Sequence, residues 1–352
     1  MASSPTSDTP LVGVLGAGSF GTAVANLLAV NQPVWLYARR EEVVEEIKEK
    51  REHLGQPMHP RVWPTSDVEA VLHHSYLVFP TVPSANFRRM IQQLSPLLRP
   101  DHILIHCTKG LDFKLDRKAL KQAEYSFSRS DIATMSEVIQ EESVVLRIGA
   151  MAGPNLAGEL ASGKPAATVI ASHFDEVIRS GRNALRSRRF QVYGNHDIIG
   201  VELSGVLKNA IAIGAGIATG LEMGENARAL LITKGWGEMI RLGQALGSDT
   251  SAFMGLAGIG DLIATCNSRL SRNHTVGYRL AQGETLDYIL ETSSEVAEGV
   301  NTIRLAKHLG KYYDVKLPII NTLYAVLFDN LPPNEALSRL MMFSYAKDVD
   351  FL

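Results

Sequence analysis

At 352 residues the chain exceeds the usual single-core domain of about 100–200 residues, so two domains are expected, each able to bury its own core. With 35 Lys and Arg against 37 Asp and Glu the formal net charge is −2, which provides no global attraction to nucleic acid or to an anionic membrane surface. Cys107 and Cys266 are far apart and in no metal-type spacing, which argues against a disulfide scaffold or a zinc site and fits a reducing compartment.

In chain order, residues 1–10 are Ser/Thr/Pro-rich with no basic start and no apolar centre, and are expected to form a disordered tail rather than a secretory signal. Residues 11–194 then alternate short β-rich runs with helical stretches, the pattern of a parallel sheet covered by helices on both faces. Strands are expected at 11–15, 34–38, 76–79, 103–107, 144–148, 167–171 and 190–193. The apolar run Ile103-Leu104-Ile105 suits a strand buried on both faces. From 195 to 352 the β-type runs stop, and Ala/Leu/Gly-rich segments interrupted by Gly and Pro predict an all-α second domain. Residues 198–221 are apolar enough to consider as a membrane span. Glu202 and Lys208 lie inside it, each costing about 2.5–3.5 kcal/mol at a bilayer centre, so a buried helix without membrane insertion is expected.

Gly16-Ala17-Gly18-Ser19-Phe20-Gly21 fits G-x-G-x-x-G and stands between the first strand and a helical stretch. In that setting Gly16 permits a tight turn, Gly18 lets the backbone approach a pyrophosphate, and Gly21 allows helix and sheet to pack closely. The N-terminal domain is therefore expected to be a Rossmann-like doubly wound dinucleotide-binding fold. After the second strand the chain carries Arg39 and Arg40, then Glu41 and Glu42. Two guanidinium groups there suit the 2′-phosphate of NADP, so NADP is the preferred cofactor, with NAD the alternative; a solvated charge cluster opening a helix is the plainer reading.

Lys109, in Thr108-Lys109-Gly110, follows the strand at 103–107, at the carboxyl end of the sheet where such folds place ligands; an exposed lysine is the plainer reading. Lys208 lies in Leu203-Ser204-Gly205-Val206-Leu207-Lys208-Asn209-Ala210, a segment too apolar to stay exposed. It either snorkels to water or is held inside by a partner. Burial and a second ammonium such as that of Lys109 would tune it as a proton donor. Gly258-Ile259-Gly260-Asp261-Leu262 sets one acid in an apolar loop, suited to pair with that lysine. Ser271-Arg272-Asn273 offers donors to a phosphate, and Ser271 also suits a helix cap. No His or Cys spacing suggests a metal.

In order and spacing, the glycine turn, Thr108-Lys109-Gly110-Leu111, Gly153-Pro154-Asn155-Leu156-Ala157, Val206-Leu207-Lys208-Asn209, Gly258–Leu262 and Ser271-Arg272-Asn273 resemble the NAD(P)-dependent glycerol-3-phosphate dehydrogenase family. The likeness runs from about residue 11 to 345, and Asn155 stands where many bacterial-type members carry Thr or Ser. It implies that Gly16, Gly18, Ser19, Phe20, Gly21, Arg39, Arg40, Lys109, Ala157, Arg272, Val296 and Glu298 bind cofactor. It implies further that Lys109, Gly153, Asn155, Lys208, Asp261, Ser271, Arg272 and Asn273 surround the substrate, with Lys208, Lys109 and Asp261 catalytic.

The implied reaction is reduction of dihydroxyacetone phosphate to sn-glycerol 3-phosphate for glycerophospholipid synthesis. The nicotinamide supplies hydride to C2, Lys208 protonates the alkoxide, and Arg272 and Asn273 hold the phosphate. The competing readings are another two-domain hydroxy-acid dehydrogenase and a non-catalytic dinucleotide sensor. The Ala- and Gly-rich helices suit packing within one subunit or across a homodimer.

Overall fold

The computed structural model describes residues 11–114, 128–293 and 297–342. The expected tail at 1–10 and Val296 lie outside them. The chain forms two compact units, Met1–Asp112 with Thr134–Ile198, and Phe113–Ala133 with Ile199–Leu352. The division differs from a single passage at 194/195: the chain leaves the first unit slightly later, and the stretch Phe113–Ala133 belongs to the second.

The first unit is built on an 8-stranded sheet. Its strands are β1 (Leu11–Leu15), β2 (Val34–Tyr37), β3 (Val62–Thr65), β4 (Ser75–Pro80), β5 (Ile103–His106), β6 (Arg147–Ala152), β7 (Ala166–Ala171) and β8 (Phe190–Asn195). Their spatial order is β3-β2-β1-β4-β5-β6-β7-β8. The order reverses direction at β1, so a crevice forms beyond the carboxyl ends of β1 and β4, the switch point at which open α/β sheets bind ligands. Val12, Val14, Leu36, Phe79, Leu104 and Ile105 are fully buried, as expected for strands covered on both faces.

Three features depart from the expected sheet. β7 pairs antiparallel to β6, Ala150 opposite Ala171, while β8 runs parallel to β7. Only a 5-residue helix, α6 below, lies in the connection from β6 to β7, and a parallel return needs a longer crossover. The sixth strand begins at Arg147 rather than 144, because Val144 and Leu146 are 53% and 68% exposed on the approach to the sheet. β3 was not expected, since Pro64 interrupts its short run. As the sheet's edge strand it pairs only with β2 and tolerates a missing N–H.

Helices α1 (Ser19–Ala29), α2 (Glu41–Lys50), α3 (Val68–His74), α4 (Ser84–Leu94), α5 (Met135–Glu142), α6 (Ala157–Ala161) and α7 (Asp175–Leu185) cover the sheet. Thr134 caps α5 in a reciprocal capping box with Glu137, and Asp67 caps α3 through the Ala70 N–H.

From Ile199 onward the second unit is helical throughout its described residues. It contains α8 (Ile198–Gly220), α9 (Gly224–Ala245), α10 (Ser251–Met254), a π-turn (Leu256–Gly260), α11 (Asp261–Asn267), α12 (Arg272–Ala281), α13 (Leu286–Thr292), α14 (Glu298–Tyr312), α15 (Pro318–Phe328) and α16 (Pro333–Met342). α8 is the one described helix long and apolar enough to cross a membrane, and 94% of its most apolar window is buried inside the protein. Two glycines let α8 and α12 touch backbone to backbone. A Cβ on Gly216 would stand 2.0 Å from the His274 carbonyl oxygen, and one on Gly277 would stand 1.9 Å from that of Ile213.

Candidate active site

In the first unit, Gly16 adopts φ +121° at the end of β1, and its N–H donates to the Tyr37 carbonyl at 3.1 Å. Gly21 is the close-packing position: a Cβ there would lie 1.9 Å from the Gly16 carbonyl oxygen. At Gly18 the same atom would meet nothing within 4 Å, which leaves the turn's outer face accessible to a phosphate. The backbone N–H groups of residues 17–21 have no hydrogen-bond partner among the described residues. Together with the helix dipole, that array fits a pyrophosphate. Phe20 packs its ring against the domain core, and Ser19 begins α1.

Arg39 and Arg40 are both exposed, with no ion pair among the described residues, and Arg40 is the N-cap residue of α2. Glu41, next in sequence, accepts a hydrogen bond from the Ser66 hydroxyl. Glu41 and Glu42 are likewise exposed and fill the first turn of α2, so the four charges form a solvated cluster opening that helix, as the plainer reading expects.

Thr108 donates through its hydroxyl to the Val82 carbonyl at 2.7 Å, tying the end of β5 to the loop after β4. Lys109 Nζ donates to the Gly153 carbonyl at 3.2 Å, so these two expected site residues do meet. Gly153 has φ +149°, a conformation that suits glycine. Asn155 is 9% exposed; its Nδ2 donates to the Thr168 hydroxyl at 2.8 Å, while Oδ1 is buried without a partner among the described residues. Ala157 opens α6, two residues on.

In the second unit the expected lysine–aspartate pair is present. Lys208 Nζ donates to Asp261 Oδ1 at 2.7 Å and also to the Thr265 hydroxyl, which in turn donates to the Asp261 carbonyl at 2.7 Å. Lys208, Asp261 and Thr265 are 4%, 2% and 4% exposed, so the ammonium does not snorkel to water. Asp261 lies on a helix rather than in a loop: it begins α11 directly after the π-turn, a distortion frequent at functional positions. Thr265 was not singled out as a site residue. Its signal is the spacing of four from Asp261, which puts both side chains on one helix face. The neighbouring Cys266 thiol is pushed up to about 12, chiefly by burial, and stays neutral.

Ser271 caps α12 by accepting the His274 N–H at 3.3 Å, so the cap reading holds for its side chain. Arg272, the first helical residue, is exposed and stands at a helix N-terminus, a favourable place for an anion. Asn273 Oδ1 accepts the Gly299 N–H at 2.9 Å, which leaves its amide nitrogen as a donor. A Cβ on Gly299 would lie 2.5 Å from the Asn209 carbonyl oxygen and 2.7 Å from Asn273 Oδ1. Glycine there lets the start of α14, carrying Glu298, approach both α8 and α12.

A doubly wound sheet with an anion-ready glycine turn at its switch point, followed by helices holding a lysine inside the protein on a carboxylate, defines a dinucleotide-dependent oxidoreductase. Family models described as NAD-dependent glycerol-3-phosphate dehydrogenase N-terminus and C-terminus match residues 11–178 and 197–338. The chain is 40% identical over 349 residues to the glycerol-3-phosphate dehydrogenase (NAD(P)+) of Pseudomonas paraeruginosa, covering 97% of each. It is 31% identical to the solved glycerol-3-phosphate dehydrogenase of Coxiella burnetii, with TM-score 0.83 over 95% of this chain and 99% of that one. The Saccharomyces cerevisiae enzyme shares the fold at 23% identity and TM-score 0.81, covering 95% of this chain and 99% of its own. The chain belongs to the NAD-dependent glycerol-3-phosphate dehydrogenase family and is an NAD(P)-dependent oxidoreductase acting on a CH–OH group.

Proposed function

We propose that this chain reduces dihydroxyacetone phosphate to sn-glycerol 3-phosphate in the cytoplasm, with NADPH as the favoured reductant, and so supplies the glycerol backbone of glycerophospholipids. The observation that carries the reading is the ammonium of Lys208, enclosed on α8 and held by Asp261 and Thr265. A buried charge pair costs several kcal/mol of desolvation per ion, so a lysine enclosed in this way has a use beyond stability.

When bound, the nicotinamide supplies the hydride. Lys208 delivers a proton to the oxygen that becomes an alkoxide, and Asp261 and Thr265 hold its ammonium in one orientation. Lys109, steadied on the Gly153 carbonyl, is a second ammonium suited to stabilise negative charge on a substrate. Arg272 and the Asn273 amide, at the start of α12, hold the substrate phosphate. Arg39 and Arg40 take the 2′-phosphate of NADPH.

The test is the loss of reduced-nicotinamide absorbance with dihydroxyacetone phosphate, run in parallel with NADPH and NADH. Rapid loss with NADPH at low cofactor is the expected result. Flat traces from protein that binds both cofactors would overturn the substrate assignment.

A further inference from the structure

Between α2 and β3 the chain makes a hairpin whose two-residue ladder pairs Glu52 with Pro57 and His53 with Gln56. Leu54 and Gly55 at its tip have φ of 52° and 72°, the two positive values that a tight two-residue hairpin turn requires. It is tied down on several sides. The Arg51 guanidinium donates to the His59 carbonyl at 2.7 Å, and Asn26 of α1 donates to the Pro57 carbonyl at 2.9 Å and accepts the His59 N–H at 2.9 Å. So anchored, the hairpin reaches the glycine turn. His53 Nε2 lies 2.9 Å from the Ala17 carbonyl oxygen, and Gln56 Nε2 donates to the Ser19 carbonyl at 3.0 Å.

These contacts complete a pattern along the turn. The Leu15 carbonyl accepts the Thr81 N–H at 3.0 Å, Gly16 accepts the Thr81 hydroxyl at 2.9 Å, and Gly18 accepts the Thr22 N–H at 2.9 Å. With Ala17 and Ser19 held by the hairpin, every carbonyl from Leu15 to Ser19 is engaged, while the N–H groups of residues 17–21 are left for a ligand. The turn thus presents donors and restrains the acceptor dipoles that would repel a pyrophosphate. Gln56 is 5% exposed, and its Oε1 is buried without a partner among the described residues. The side chain gives up that acceptor to keep its N–H on Ser19, and the opposite amide orientation would set oxygen against oxygen.

We infer that His53 and Gln56 are positioning residues for the dinucleotide: they act through the backbone of the glycine turn and set the affinity for the cofactor's pyrophosphate without taking part in hydride transfer. The inference rests on the cofactor reading and extends it to a segment outside the glycine motif.

The test measures Kd for NADPH and NADH by nicotinamide fluorescence, together with kcat at saturating cofactor and Tm, on the full chain. His53→Ala and Gln56→Ala are each expected to raise both Kd values about five- to tenfold, the scale of one lost hydrogen bond, with kcat nearly unchanged. Gln56→Glu, of the same size but with an acceptor facing the Ser19 carbonyl, should lose more than Gln56→Ala. His53→Gln, which keeps an N–H donor, should restore most of the affinity.

Kd values within about twofold of the parent in both alanine variants would overturn the inference, because a lost hydrogen bond must show in binding. Loss of kcat at unchanged Kd would overturn it as well. If an alanine variant melts early, the comparison of Gln56→Glu with the parent decides. A parent protein that binds neither dinucleotide would sink the cofactor reading instead.

Discussion

Lys208 illustrates how one side chain couples packing to chemistry. Enclosed on α8, its ammonium makes short bonds to Asp261 and Thr265, so removing it deletes the proposed proton donor and strands a buried carboxylate. Lys208→Met should lower kcat by about 10²–10⁴-fold while dinucleotide Kd stays near the parent's; retained kcat would end its role as the acid. The same change should cost about 3–5 kcal/mol of stability, which is why binding must be measured beside turnover. Arg272→Ala belongs to a different step. Its loss should raise KM for the phosphorylated ketone well above tenfold with a smaller effect on kcat, and steady-state kinetics showing an unchanged KM would remove it as the phosphate clamp. For Arg39→Ala combined with Arg40→Ala, fluorescence titration should show NADPH weakened more than NADH. Equal losses would leave the 2′-phosphate assignment without support.

Among the elements, α8 and α12 cross with no room for a side chain between them. Gly216 and Gly277 bring the two backbones together, and Arg272 and Asn273 lie about one turn before Gly277 on α12. Gly277→Ala must push the helices apart. It should destabilise the protein by about 1–3 kcal/mol, seen as a lower urea midpoint at unchanged m-value, and should also raise KM for substrate. A normal midpoint would mean that the crossing relaxes without cost. Neither glycine was identifiable as a crossing point from the sequence, because a small residue in an apolar helix does not say which helix it meets. The strand β3 was hidden for a related reason: Pro64 weakens a local strand signal, and only the edge position explains its presence.

For the whole molecule, stability should carry a pH signature from Glu238 on α9. Its carboxyl oxygens accept the N–H groups of Ile319 and Ile320 at 2.6 and 3.0 Å, at the start of α15. Burial pushes the carboxyl up to about 8, against the pull of those two N–H groups and of Arg241. The folded state therefore keeps a proton that the unfolded chain has already released. The stabilisation is full below the ordinary carboxylate range and is lost as pH rises through about 8. Melting curves should show Tm declining between about pH 5 and 8, and Glu238→Gln should flatten that decline. An unchanged slope in the variant would place its origin elsewhere.

By itself the sequence determined the local and the chemical: the glycine turn between strand and helix, the change from alternating β and α to helices alone, the apolar setting of Lys208, and the capped start of α12. Each follows from residue type and short-range spacing, where backbone preference and hydrophobic period act directly. Tertiary structure alone decided the pairings across long separations. These include the antiparallel turn at β7, the return of Phe113–Ala133 to the second unit, Thr265 joining the Lys208–Asp261 pair, and the hairpin that holds the glycine turn. Such contacts depend on which surfaces meet after the chain has closed loops of tens of residues, and a polar side chain carries no local mark of the partner it will find there.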